Sequence, residues 1–486
     1  MWSIIIILLI FVLVLLAYLD TRKPRFFPPG PAWFPILGCA LKLRKLHVET
    51  GTLAEATQAL ATKYGPVVGA RVGRERVVFV CGSKAIQELV SREELNGRPD
   101  NVATTSRTAG GERRGMIFTD SEFWQEQKKF VIRHFKETSF RKEAMWEMLE
   151  EEVRSIIGDV KRAIEKNPAV DLHRFFRIHV LNAFCFLITG QTSNHHELIE
   201  LEAAIAHLAQ SVPMAGPVFG KFPFLRYICP EYCGYNKYVA IHEKILAFFH
   251  KKVKVLKDAS NSGLIPSYLD KLNSGQSGES FSEGQLLALC LDLLVAGYDS
   301  ITNTLKFAFL YLILHPDIQK KAQEEIDTVL QGRPPTPEDR PHLPYVECIS
   351  LESIRMFTGR SFFVPRRATK DTQFNGYFIR KNTTLIGNFR DLLMDEAAGW
   401  HNPEDFDPDR FIRDGRLKIP VNFLPFAWGK RRCVGEMFTR ANVFLVVAGL
   451  LQAFNFETVP GNPVTVETVE NFTPTVNHYK TYVTLR

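Results

Sequence analysis

The feature that most limits what this chain can become lies close to its C-terminal end. Phe426-x-x-Gly429-x-Arg431-x-Cys433-x-Gly435 stands directly before a long apolar helical pattern at about 436–453. A cysteine set in a glycine-flanked loop at a helix N-terminus is where a thiolate is held, because backbone N–H groups and the helix dipole both favour the anion. Gly429 and Gly435 allow the backbone to turn tightly around the sulfur. Arg431 supplies a cation two residues away and Phe426 an aromatic face.

The other cysteines do not compete for a role. Eight occur, at 39, 81, 185, 229, 233, 290, 348 and 433, with no Cys-x-x-Cys and no companion histidine pattern for a tetrahedral zinc. Most are expected to be small buried hydrophobes. A chain of 486 residues, 45% hydrophobic and 23% charged, is neither disordered, nor collagen-like, nor a polytopic membrane protein. The net charge of +7 comes without a long basic run, which argues against nucleic acid and suits an anionic membrane or an acidic partner.

From Trp2 to Leu19 no residue is charged. Eighteen helical residues reach about 27 Å, the thickness of the thinner endoplasmic reticulum bilayer. Arg22, Lys23 and Arg25 follow at once, and the positive-inside bias leaves the C-terminal bulk in the cytoplasm. Leu16-Ala17-Tyr18-Leu19-Asp20 offers no signal-peptidase exit, so residues 1–20 are expected to be an uncleaved anchor. Pro28-Pro29-Gly30-Pro31, Pro35 and Gly38 make 21–38 a stiff linker, leaving 39–486 as the globular body.

Periodicity predicts a helix at 53–64, a hairpin of Val67–Val72 with Arg76–Cys81 about Gly73, and helices at about 120–166, 171–190, 196–211 and 234–257. A Gly/Ser-rich break at 260–280 precedes helices at 283–331 and 341–357. Short strands follow at 363–388, a proline-rich meander at 400–427 and the last helix at 436–453. The fold class is mainly α with small β-sheets, without the βαβ alternation of a nucleotide-binding fold. At its centre stands a helix from Glu283 to Leu314, with Ser282 and Gln285 as a capping box and His315-Pro316 as the stop. Ala296-Gly297-Tyr298-Asp299-Ser300 interrupts its apolar surface. One reading makes Gly297 a close helix crossing and Asp299 a satisfied core acid; the other lays a ligand along the helix.

A thiolate presented from such a loop can bind a haem iron and push electron density onto it, favouring O–O cleavage. Arg431 can meet a haem propionate and Phe426 can cover the porphyrin. At this point the chain resembles the cytochrome P-450 haem-thiolate monooxygenases, from the anchor to the C-terminus. Glu352-Ser353-Ile354-Arg355 looks like that family's buried Glu-x-x-Arg, although Glu151-Glu152-Val153-Arg154 fits the same pattern as a surface pair. Pro403-Glu404-Asp405-Phe406-Asp407-Pro408-Asp409-Arg410-Phe411 resembles the segment whose arginine, here Arg410, completes the ionic network. Trp124 with Lys128, and Arg366 in Pro365-Arg366, resemble the propionate contacts. The segment from Ala296 to Ser300 resembles the oxygen-binding groove, except that Ser300 and Ile301 stand where threonine followed by threonine or serine is usual.

The resemblance implies a P-450 fold holding haem b, with Cys433 as the axial iron ligand. Asp299 and Ser300, with Thr302 as a further hydroxyl, would serve proton delivery to dioxygen. Ala296, Phe362, Phe363, Val364 and Phe472 would line the substrate pocket. With no dinucleotide fingerprint in the chain, electrons are expected from an NADPH-dependent reductase, with a small haem protein as a second candidate donor. Lys128, Lys129, Arg133, Lys136, Lys430, Arg432 and Arg440 are candidates for its docking face, against a bland reading as solvated charge. Leu19-Asp20-Thr21-Arg22-Lys23-Pro24, Gly97-Arg98-Pro99-Asp100 and Phe123-Trp124-Gln125-Glu126-Gln127 resemble arthropod microsomal members near the methyl farnesoate epoxidase branch. The expected activity is insertion of one oxygen atom from O2 into a small lipophile such as a sesquiterpenoid ester. The alternatives are a steroid or xenobiotic hydroxylase, a reductase-independent haem-thiolate isomerase, and a non-catalytic anchored haem or lipid binder.

Overall fold

A computed structural model describes residues 2–139, 143–257, 263–275 and 278–486. Helices dominate, and they pack around the helix Glu283–Leu314. Ser282 caps that helix by accepting the Gln285 N–H at 3.2 Å. The other half of the expected capping box is spent elsewhere: the Gln285 side chain accepts from the Gly115 N–H at 2.8 Å and donates to its carbonyl at 3.1 Å. A buried amide does better satisfying two buried backbone groups than reaching back to a solvated helix end. His315 and Pro316 end the helix, and Pro316–Leu330 starts a new one. By length and composition Glu283–Leu314 could cross a membrane, but 72% of its most apolar window is buried inside the body. Its Gly297 lies under the ring of Phe184 in the helix Leu172–Thr189, where an added Cβ would come within 2.0 Å of that ring. The close crossing is therefore the reason for the glycine.

Among the described residues a four-stranded and a three-stranded sheet flank the helices, beside three two-stranded pairings. The hairpin Val67–Val72 with Glu75–Val80 is extended in parallel by Thr384–Gly387, which in turn pairs antiparallel with Arg366–Arg367. Phe454–Thr458 pairs antiparallel with Thr481–Leu485, and that strand with Ala169–Val170. A separate hairpin joins Thr468–Glu470 to Pro474–Val476.

Several helices depart from the periodicity. The expected helix at 120–166 is Ser121–His134, a wider turn at Phe135–Ser139, and Glu143–Ile164; residues 140–142 lie outside the described residues. Ala40–Thr50, Ser83–Ser91 and Leu264–Asn273 are helices the pattern did not give. The last falls within the expected break at 260–280, of which 260–262 and 276–277 lie outside the described residues.

Trp2–Thr21 is one helix of mean hydropathy 3.1 with no buried residue. Such a helix is long and apolar enough to anchor the chain in a membrane. At its end Asp20 takes two hydrogen bonds from Arg71, at 2.6 and 2.8 Å, and one from the Ile36 N–H at 2.8 Å. The proline-rich segment packs against the first strand rather than hanging free. The Gly69 N–H donates to the Pro29 carbonyl at 2.7 Å, and a Cβ on Gly30 would meet the Gly69 oxygen at 2.0 Å.

Candidate functional site

The loop before the last helix, Glu436–Ala453, is closed by its own backbone. The Cys433 N–H donates to the Phe426 carbonyl at 3.0 Å, and Arg432 to Gly429 at 3.1 Å. Gly429 adopts φ +72°, a conformation that glycine tolerates and most side chains do not. At Gly435 φ is −90° and ψ 6°, values any residue can adopt in a turn, and an added Cβ would make only van der Waals contact, 3.9 Å from the Cys433 sulfur. Cys433 is the one exposed cysteine. Open on one side, it is otherwise crowded by protein, and this burial pushes its thiol up; the Gly435 N–H pulls the other way. A thiol so placed becomes a thiolate when a metal ion coordinates it.

Beside this loop three guanidinium groups converge on Asn96 and its neighbours. Arg366, 2% exposed, donates to the Asn96 side chain. Arg431 donates to the Asn96 carbonyl at 2.9 Å and the Thr119 carbonyl at 2.8 Å, and stacks 3.7 Å over the Trp124 ring. Arg98, 7% exposed, donates to the Val364 and Pro365 carbonyls at 2.6 and 2.9 Å. Among the described residues no carboxylate forms an ion pair with any of the three, and Arg98 Nε and Arg431 Nη1 are buried without a partner. Burial, then the charges of Arg431 and Arg366, hold Arg98 well below its usual range; burial brings Arg431 to about 9 and Arg366 to about 10. Packed cations with spare donors fit a dianionic ligand. The two propionates of haem b, with iron on Cys433, match both the charge and the soft sulfur donor. Lys128 is turned differently: its Nζ donates to the Lys430 carbonyl, bracing the cysteine loop. Burial and then the neighbouring Arg431 lower it to about 8.

On the central helix Asp292, Ala296 and Ser300 recur every fourth residue, so they share one face. Asp292 binds Arg107 and accepts from the Met116 and Ile117 N–H groups at 2.6 and 2.7 Å, which holds the 107–117 segment across this face. Ala296 is exposed although its helix is largely buried. The Ser300 hydroxyl donates to the Gly297 carbonyl at 3.3 Å. Asp299 points to the C-terminal hairpin, where Thr473 Oγ1 donates to it and Asn303 Nδ2 lies 3.3 Å away. Asn303 also accepts from Thr475 at 2.8 Å and Lys306 at 3.1 Å. Burial raises the Asp299 carboxyl above the usual range, against the pull of these donors. Thr302, two residues beyond Ser300, sits about 200° round the helix and is 2% exposed, with no partner for its hydroxyl. It does not share the Ser300 face.

The expected pocket residues divide. Val364 is 43% and Phe472 36% exposed, and Phe362 is half-buried. Phe363 is a correction: it is 5% exposed and stacked on Phe389 at 3.8 Å, a core ring rather than a pocket wall.

Further from the loop, Glu352 and Arg355 are fully buried and joined by two bonds of 2.7 Å. Arg410 Nε donates to Glu352 Oε1 at 2.9 Å, the oxygen that also accepts from Arg355 Nη2, and the Asp407 N–H adds a bond to it at 3.0 Å. Glu151 and Arg154 form only an exposed pair. The candidate docking charges are partly spent: Arg133 pairs with Glu137, Lys430 with Glu93, and Arg432 and Arg440 both with Glu436. Arg98, Arg107 and Asp292 were not singled out from the sequence as site residues, because no local spacing marks partners that meet only in the fold.

Comparison with known proteins agrees with this geometry. The family model described as Cytochrome P-450 matches residues 28–482. The chain is 34% identical to "Probable cytochrome P-450 303a1" of Drosophila melanogaster, over 97% of each chain. It is 28% identical to the farnesoate epoxidase of Bombyx mori over 94% of each, and 30% identical to cytochrome P-450 2J2 of Homo sapiens over 90% of this chain and 87% of that one. The chain therefore belongs to the cytochrome P-450 family, monooxygenases that hold haem through a cysteine thiolate and use O2 with electrons from redox partners on lipophilic substrates.

Proposed function

We propose that this enzyme oxygenates a small, elongated lipophile, with a sesquiterpenoid ester such as methyl farnesoate as first candidate and epoxidation as the reaction. The substrate reading rests on one observation, the similarity to the Bombyx mori farnesoate epoxidase along nearly the whole chain. The apolar, accessible Ala296, Val364 and Phe472 are compatible with it. In this reading residues 1–20 anchor the protein in the endoplasmic reticulum, 21–38 set the angle of the body, and 39–486 work in the cytoplasm beside an NADPH-dependent reductase. Cys433 ligates iron; Arg366, Arg431 and Trp124 serve the propionate side, joined by Arg98; Lys128 and Gly429 shape the loop, and Phe426 covers the ring. With haem bound, Ser300 would offer its hydroxyl as a proton donor, and Asp299, held by Thr473 and Asn303, would help supply protons to it. Thr302, facing elsewhere, is the weaker third member.

The test is a reconstituted assay with reductase and NADPH. Methyl farnesoate should shift the haem spectrum and give an epoxide. A steroid that does both while methyl farnesoate does neither ends the isoprenoid reading. Cys433→Ser should remove the red-shifted carbonyl band and activity together. Ser300→Ala should bind haem and substrate as before but release more hydrogen peroxide per NADPH, whereas Ser300→Thr should hold or improve the yield because its rotamer is more restricted. Unchanged coupling in Ser300→Ala would move the proton role to another group.

A further inference from the structure

Away from the haem cradle, three ligand-type side chains from distant parts of the chain meet at the surface. Asp171 caps the helix Leu172–Thr189, His173 lies in its first turn, and His478 precedes the strand Thr481–Leu485. One ligating atom from each lies within 4.8 Å of the other two, the only such group of His, Cys, Asp and Glu among the described residues. Asp171 Oδ1 accepts the His173 backbone N–H at 3.0 Å, and Oδ2 pairs with His478 Nε2 at 3.0 Å, a contact that a bound ion would replace.

The bland reading is a helix cap with two bystander histidines. His173 does not fit it. The residue is 5% exposed, and its Nε2 is buried without a hydrogen-bond partner. A buried polar atom in a native fold ordinarily has one. The rings of His173 and His478 stand 5.5 Å apart at 76°. Two imidazoles on one tetrahedral zinc, each with a Zn–N bond of about 2.0–2.1 Å, place their centres roughly 5 Å apart. Tyr479 holds the His173 ring edge-on at 4.4 Å and is itself fixed by donating to the Lys306 carbonyl at 2.8 Å. His478 is exposed, so an ion can reach the group and keep water as a fourth ligand. Lys306 and Arg177 oppose a dication here, and the Asp171 carboxylate offsets part of that charge.

We propose that Asp171, His173 and His478 bind one divalent transition-metal ion, zinc by ligand type, and so tie the start of the helix Leu172–Thr189 to the C-terminal segment. That segment carries Phe472 and Thr473, and Thr473 donates to Asp299. A metal at this position would therefore stiffen the strand-and-hairpin unit that holds the buried acid, without touching the haem.

Untagged full-length holoenzyme, stripped with chelator and dialysed against zinc, should retain about one zinc beyond its haem iron by elemental analysis. His478→Ala, at an exposed position, should weaken zinc binding roughly tenfold or more in chelator competition, the size found even for partners outside the ligand shell. Asp171→Asn preserves a good helix cap and should weaken binding likewise. His196→Ala, on an exposed helix position elsewhere, should bind zinc as the parent does. No zinc retained by the parent, or equal affinity in His478→Ala, overturns the proposal.

Discussion

Two clusters of buried arginine sit in this fold, and they are solved in opposite ways. Arg355 and Arg410 share Glu352, and their remaining donors rest on the carbonyls of Leu393, Pro403, His401 and Asp405. Arg98 and Arg431 also rest on backbone oxygens and Arg366 on the Asn96 side-chain oxygen, yet the three share no carboxylate among the described residues and two of their nitrogens have no partner. A charge network that completes itself belongs to the folded chain. One left short of anions is built around a guest.

The sharpest way to break this contrast is to remove the shared acid. Glu352→Gln leaves two cations buried without an anion, which costs on the order of 3–5 kcal/mol. Denaturant unfolding, or recovery of soluble protein, should show it even before haem is added. Arg98→Leu should behave in the reverse manner. Stability of the haem-free chain should hold or rise, because a repelled cation has gone, while haem should leave the loaded protein about tenfold faster, as expected for losing a charge-assisted hydrogen bond of about 1.5 kcal/mol. Haem transfer to a scavenging globin measures it. If Arg98→Leu unfolds the haem-free chain as badly as Glu352→Gln, the two clusters are alike and the contrast fails.

Asp391 shows a third solution, protonation. It is 4% exposed, with Oδ2 lacking a partner, and burial pushes its carboxyl up to about 6. Between pH 4 and 6 the unfolded chain gives up this proton before the folded one does. Stability therefore falls as pH rises through that window and levels above it. Asp391 borders a cleft with Glu55, Gln58 and Gly82, and with solvent there allowed for Asp391→Asn should flatten this slope by about 1–2 kcal/mol. Urea midpoints at pH 4.5 and 7 for both proteins provide the comparison.

How much of this was legible in the sequence follows from the range over which each signal acts. The central helix, the hairpin at 67–80 and the cysteine loop are local patterns, with capping, stop and turn residues inside the window that reads them. The helix Ala40–Thr50 was missed because it buries only Leu43 and so has no apolar stripe. Leu264–Asn273 was hidden by the Gly/Ser run around it, although its Pro266 lies in the first turn, where proline is tolerated. At the site, Cys433 and Arg431 belong to a dense motif, whereas Arg98 becomes informative only when Arg366 and Arg431 arrive beside it. Phe363, an expected pocket residue from the resemblance and the Phe-rich run after the Glu352 helix, is drawn into the core by stacking on Phe389, a partner 26 residues away that no local pattern marks.

The bond between Asp20 and Arg71 has a mechanical consequence. A membrane helix joined through slack lets its cargo swivel, and the cargo meets the bilayer at every angle. Here the last turn of the helix is gripped by a guanidinium of the first sheet, with Trp33 stacked 5.1 Å from that guanidinium. Helix and body therefore move as one lever, so a tilt of the helix is a tilt of the whole catalytic body. Replacing Asp20 with alanine would turn a bracket into a tether.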